Sequence, residues 1–278
     1  MASVLSLIAV IYLLGSLPFE WQAALLSFLI LLLGIPHGAL DHKVAEATGL
    51  VKNRFALFLF LLAYLLMSVC GFVLWIFFPS VSLLFFLVIS AWHFGSDFSK
   101  FSSLKSFPIV PGIALLSTPF VFYQNDVAQI FSIFIEEDEA AIVSVVGRYV
   151  AYIFIPLSGA FAILRSNIPF ESRLDFIMTL IAGLFLPPLM FLVVFFCLSH
   201  SLKHLSELYV TLEFRTVKKF CLTLLPLTLS SYILLGAIAL NYEAIDLAAL
   251  SLKSTIILLS VLTIPHMLLI EYWKSQQT

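Results

Sequence analysis

Apolar runs separated by short polar breaks fill this sequence almost from end to end. The runs cover roughly residues 3–17, 21–42, 55–78, 81–99, 107–123, 140–164, 174–211, 220–240 and 252–273. A helix needs about 20 mainly apolar residues to cross the hydrocarbon core of a bilayer. The pattern therefore predicts an all-α, polytopic transmembrane helix bundle of roughly eight to ten membrane segments. The breaks carry the expected residues. Pro18 and Glu20 part the first two runs, and Lys43, Lys52 and Arg54 follow the second. Pro79-Ser80 turns the chain between the third and fourth, and the acidic Glu136-Glu137-Asp138-Glu139 precedes the sixth.

The run over 174–211 is too long for one span and contains Pro187-Pro188. Two prolines remove two backbone donors and disfavour helix in the residue before them. The expectation is a broken segment, with a short arm over 174–186 and a long arm over 189–211. The short arm would be tilted or re-entrant, which a bilayer tolerates where protein buries the broken backbone. Charge sidedness supports the break. Lys and Arg gather on the cytoplasmic side of membranes. Lys43/Lys52/Arg54, Lys100/Lys105 and Arg165/Arg173 fall in alternate loops. If the chain doubles back at the prolines, Arg215/Lys218/Lys219 join that side and Glu243/Asp246 fall opposite. Both termini are then expected in the cytoplasm, with the chain multi-pass in the cell (inner or plasma) membrane.

Composition agrees. Hydrophobic residues make up 62% and charged residues 11%, against roughly 45–50% and about 25% in soluble domains. So few charges cannot cover a water-facing surface, and residues 1–278 read as a single integral membrane domain. The net charge of −2 comes with no basic cluster, which argues against a nucleic-acid partner. Cys70, Cys197 and Cys221 are scattered through apolar runs and read as free thiols. The apolar N-terminus lacks a positive leading region and reads as a retained helix.

The chemistry lies in six histidines: His37, His42, His93, His200, His204 and His266. On the topology above, all but His42 fall at one side and a similar depth within the membrane. A polar side chain there is costly and is usually paired or functional. Imidazole is the commonest metal ligand and suits iron, copper, zinc and nickel. His200 and His204, four residues apart, share a helix face and can chelate one ion. His37 and His93 can add ligands from neighbouring helices, as metal sites in bundles do. Both belong to a repeated His-x-x-x-Asp pattern, Pro36-His37-Gly38-Ala39-Leu40-Asp41 and Trp92-His93-Phe94-Gly95-Ser96-Asp97. Asp41 and Asp97 could each accept the second ring N–H of its own histidine, and Glu207 could do so for His204. Gly38 and Gly95 leave room for a close helix approach or for substrate. The competing reading makes these ordinary interhelical hydrogen bonders, with Asp41 and Asp97 as solvated helix ends. His42 reads as interfacial, and His266, after Pro265, as a site residue or an interhelical hydrogen bonder. The 28 phenylalanines form no periodic box, and Trp21, Trp75, Trp92 and Trp273 fall mostly near helix ends, as in an aromatic belt.

At these residues the sequence resembles the Brp/Blh family of membrane-bound bacterial and archaeal β-carotene 15,15′-dioxygenases. The segments that carry the likeness are Pro36–Asp41, Trp92–Gly95, Cys197-Leu198-Ser199-His200-Ser201-Leu202-Lys203-His204 and Pro265-His266-Met267. The resemblance implies O2-dependent central cleavage of β-carotene to two all-trans-retinal molecules at non-haem Fe(2+). It implies His37, His93, His200 and His204 as metal ligands and catalytic residues, with His266 in the pocket or supporting a ligand. It also implies a retinal-accepting rhodopsin as an indirect partner. An all-histidine set lacks the carboxylate of the common facial triad and leaves positions open for O2. A pocket within the bilayer would let a water-insoluble substrate enter sideways.

Other classes remain open. A lipid desaturase or hydroxylase would want about eight histidines in H-x-x-x-H and H-x-x-H-H boxes, whereas only His200/His204 has such spacing. A metal or proton transporter would more often show inverted repeats with matching broken helices. A structural or assembly protein has no need of several buried histidines at one depth.

Overall fold

The computed structural model describes residues 15–98, 109–164, 168–242 and 246–276. The apolar run over 3–17 and the positions of Lys100, Lys105, Arg165 and Glu243 lie largely or wholly outside the described residues. Within them, every regular element is helical. The order is α1 (Phe19–Leu29), α2 (Asp41–Ala47), α3 (Arg54–Phe77), α4 (Pro79–Asp97), α5 (Ile109–Ser117), α6 (Gln124–Ser132), α7 (Glu137–Leu164), α8 (Phe170–Phe185), α9 (Pro188–Leu192), α10 (Leu202–Thr211), α11 (Val217–Ala239) and α12 (Leu247–Ser275). Two π-helical stretches, Ile30–Gly34 and Val193–Ser201, widen the chain between α1 and α2 and between α9 and α10.

Among the described residues, seven stretches are long and apolar enough to cross a membrane: Phe19–Ala47, Arg54–Phe77, Pro79–Asp97, Glu137–Leu164, Pro188–Thr211, Val217–Ala239 and Leu247–Ser275. The chain is a multi-pass membrane protein. Three of these spans start where a side chain satisfies one of the first free N–H groups. Asn53 accepts from Ala56 N–H at 2.9 Å, Thr216 from Lys219 N–H at 3.2 Å and Asp246 from Ala249 N–H at 2.7 Å.

The break at the double proline is present. Leu186 and Pro187 are extended, with ψ of 143° and 146°, and helix resumes at Pro188. Gly183 and Phe191 would stand about 12 Å apart on an unbroken helix. Instead a Cβ on Gly183 would lie 3.0 Å from the Phe191 ring, so the chain bends sharply there. The run over 107–123 is also broken. It forms α5 and a four-residue helix, Pro119–Phe122, because Pro119 brings no N–H to continue the first.

The chain forms two compact units. One contains residues up to Gln22 together with Pro79–Phe195, and the other contains Ala23–Phe78 together with Phe196 onward. In the first, α4 and α5 meet backbone to backbone. A Cβ on Gly112 would fall 1.7 Å from the Ala91 carbonyl oxygen, so only glycine fits, as at close crossings of membrane helices. In the second, α12 packs against α3 and α11. Trp75 on α3 donates its indole N–H to Ser260 Oγ on α12 at 2.6 Å. An apolar cluster of Leu40, Val44, Leu208, Phe220, Leu224 and Leu269 ties α2, α10, α11 and α12 together.

Candidate metal centre

The second unit holds five of the six histidines and brings four of them together. His37 precedes α2, His200 is the penultimate residue of the second π-helical stretch, His204 lies in α10 and His266 in α12. Ring centroids are 4.9 Å apart for His37–His266, 5.5 Å for His37–His204, 5.6 Å for His37–His200, 5.5 Å for His204–His266 and 6.5 Å for His200–His204. Two imidazoles bound to one ion through nitrogens about 2.0–2.1 Å from it, as on zinc, have centroids roughly 4.5–6.5 Å apart. Each measured spacing falls in that range. His37, His200 and His266 are buried. The donor set is imidazole throughout, the chemistry that suits a transition metal.

Local backbone chemistry explains how His37 reaches this position. Pro36 has no N–H and its ring crowds the preceding turn. The chain widens there, and Ile35 N–H bonds to Ile30 O, five residues back. In the same register the Leu31 carbonyl would look to the missing N–H of Pro36. The Tyr232 hydroxyl, from α11, donates to that oxygen instead at 2.6 Å. Membrane helices tolerate proline when a neighbour satisfies the freed carbonyl in this way. The Nδ1–H of His37 donates to the Gly34 carbonyl, which leaves its Nε2 lone pair for a ligand. Gly34 also makes space for Phe196, since a Cβ there would meet the Phe196 ring at 2.8 Å. Phe196 packs edge-on to His37 and stacks on His200 at 6.0 Å. Both π-helical stretches thus lie at the histidines, where such widened turns recur in functional sites.

The carboxylates fall out differently from the spacing argument. Asp41 does not serve His37. It accepts from Nδ1–H of His266, with its two oxygens at 2.9 and 3.0 Å. It also accepts from the Tyr64 hydroxyl at 3.0 Å. Asp41 is only 1% exposed, so it is no solvated helix end. The reason is geometric: His37 spends its Nδ1–H on Gly34, and α12 brings His266 alongside. Glu207 is exposed, and no hydrogen bond joins it to His204 among the described residues. Asp97 is the last residue of α4. His93 lies buried on α4, in the first unit. His42 is half-buried and donates Nδ1–H to Ala39 O of its own turn at 3.1 Å. Gly38 faces a cavity. A Cβ there would meet His266 Nδ1 at 3.6 Å, an ordinary contact, so helix packing does not demand glycine.

That cavity, about 310 Å³, is lined by His37, Asp41 and His266 and by Tyr64, Leu65 and Leu259 among others. Its walls come from the spans α3, α11 and α12, and Leu65 and Ser230 at its wall are also exposed on the outer surface. Sequence reasoning missed Tyr64 and Phe196. A tyrosine in the middle of an otherwise apolar span was the available signal for the first. One aromatic among 28 phenylalanines gave none for the second.

Fold and site together define a polytopic membrane protein with a buried histidine centre fit for a metal. The chain belongs to the β-carotene 15,15′-dioxygenase family, whose profile matches residues 28–274. The β-carotene 15,15′-dioxygenase of uncultured marine bacterium 66A03 is 30% identical over 270 residues, covering 93% of this chain and 95% of that protein. No solved structure matches.

Proposed function

We propose that this protein is an iron(II)-dependent dioxygenase that cleaves the central double bond of β-carotene with O2 to give two all-trans-retinal molecules. The observation that carries the reading is the crowding of imidazoles around His37 and His266, which line a mainly apolar cavity inside membrane spans, in a chain of this family. His37, His200 and His204 are the proposed ligands within the second unit. His93 joins them on its sequence pattern, the same His-x-x-x-Asp as His37.

When bound, ferrous iron supplies the activation of O2. The protein's part is to hold the ion, to position one double bond beside it and to exclude water. The reaction needs no protein acid or base in principle. A cavity walled by Leu61, Leu65, Leu234 and Leu259 suits a polyene, and its exposed flank at Leu65 suits entry from the lipid. The enzyme would then act as one integral domain of the cell membrane with both termini cytoplasmic. It would release retinal to the bilayer, where a retinal-accepting rhodopsin is its indirect partner.

The test is direct. Protein purified in detergent should contain about one iron per chain and form retinal from β-carotene under O2, since the ligand set builds a single site. His200→Ala and His204→Ala should each lose bound iron and bring retinal formation below detection. Iron-loaded protein that leaves β-carotene intact while consuming another lipid would transfer it to the desaturase or hydroxylase class. Metal flux in liposomes without O2 uptake would make it a transporter.

A further inference from the structure

We infer that His266 is a further metal-binding imidazole of this centre, held in place by Asp41 and, through Asp41, by Tyr64. The inference rests on the metal reading above and extends it to three residues contributed by α2, α3 and α12.

The proton on the His266 ring can be located. A carboxylate only accepts, and both Asp41 oxygens lie within 3.0 Å of Nδ1. Nδ1 therefore carries a hydrogen, and any metal contact of this ring must come from Nε2. A carboxylate on the far nitrogen of an imidazole is the usual support of a metal-bound histidine, fixing its tautomer and raising its basicity. The ring also stands where a ligand should stand, 4.9 Å from His37 and 5.5 Å from His204.

The surroundings of Asp41 give a second argument. Asp41 is 1% exposed and lies within a membrane span. A carboxylate in that setting is expensive, and a plain interhelical hydrogen bond to His266 could be made by a neutral asparagine. The Tyr64 hydroxyl adds a second donor to Asp41, and it also lies 3.3 Å from the Leu262 carbonyl on α12. Asp41 thus accepts from two side chains, one of them an imidazole whose other nitrogen lies across the ring, the arrangement that supports a metal-bound histidine. Tyr64 is then a positioning residue, one step further from the ion.

The experiment begins with the iron-loaded wild type in detergent. Iron affinity is measured by competition with a chelator, and the visible spectrum is recorded after cobalt(II) replaces the iron. Asp41→Asn, close in shape to the original, should weaken iron binding by about 10–100-fold, the range found for lost supporting partners. Tyr64→Phe should weaken it less. His266→Gly should lose at least as much affinity as Asp41→Asn and alter the cobalt spectrum, and added free imidazole should restore both. That rescue separates a lost ligand from a disturbed fold. Wild-type iron affinity and an unchanged cobalt spectrum in Asp41→Asn and His266→Gly would overturn the inference and leave the proposed function standing. A wild type that binds no iron would bring down both.

Discussion

Helices α3 and α12 are both long and apolar, and they pack on each other, yet they present opposite surfaces. The residues α3 buries are Ser68, Gly71 and Trp75, while Phe55, Phe58, Leu62, Leu66 and Val73 are exposed. α12 buries twelve of its 29 residues, and among them are Ser254, Thr255, Ser260 and His266. In a water-soluble bundle the apolar stripe would mark the interior. Here lipid is as apolar as leucine, so hydrophobicity does not sort the faces. Small and polar residues do, because they allow close approach and bond across helices. The seam between α3 and α12 is therefore marked by what is not hydrophobic: Ser68, Gly71, Tyr64, Ser260 and His266.

The contrast can be broken most forcefully at Gly71. A Cβ there already falls 3.2 Å from Ile264 and 3.3 Å from Val261. Gly71→Leu should push the two helices apart and cost about 1–3 kcal/mol, the range for overpacking. Unfolding in detergent, followed by helical circular dichroism, should show a clearly lowered midpoint. An unchanged midpoint would mean the seam is loose. Trp75→Phe asks for a smaller change. It removes the bond to Ser260 and leaves most of the ring, so a loss of about 0.6 kcal/mol is expected, the average for such bonds between membrane helices. Double-mutant analysis with Ser260→Ala should find the two changes non-additive. At the other extreme, Leu66→Ala on the exposed face of α3 should shift stability by less than about 0.5 kcal/mol, as surface changes do. A large loss there would show that something other than lipid covers that face.

Much of this was legible in the sequence because bilayer crossing imposes a length and a composition that few other structures share. The break at Pro187-Pro188 was legible because proline acts locally. The closeness of His200 and His204 followed from their separation of four. Other features depend on contacts that no local pattern encodes. The His-x-x-x-Asp spacing pointed Asp41 at His37, four residues away, but the partner is His266, 225 residues away. The π-helical turns beside His37 and at His200 were not foreseen, because widening a helix by one residue leaves the hydrophobic pattern unchanged. The two halves of the run over 107–123 look like one because the break, Ser117-Thr118-Pro119, is only three residues long between Leu115-Leu116 and Phe120-Val121.

The hydroxyl of Tyr232 on the Leu31 carbonyl bears on how portable the Pro36–Asp41 segment is. The direction of His37 depends on a widened turn, and that turn leaves an oxygen which another helix, 201 residues onward, must satisfy. Copying the six-residue segment into an unrelated membrane helix would import the proline without its remedy. The recipient would be expected to close the turn or kink elsewhere, and its histidine would point away from any site designed for it. Anyone transplanting this motif must carry a tyrosine on the facing helix along with it.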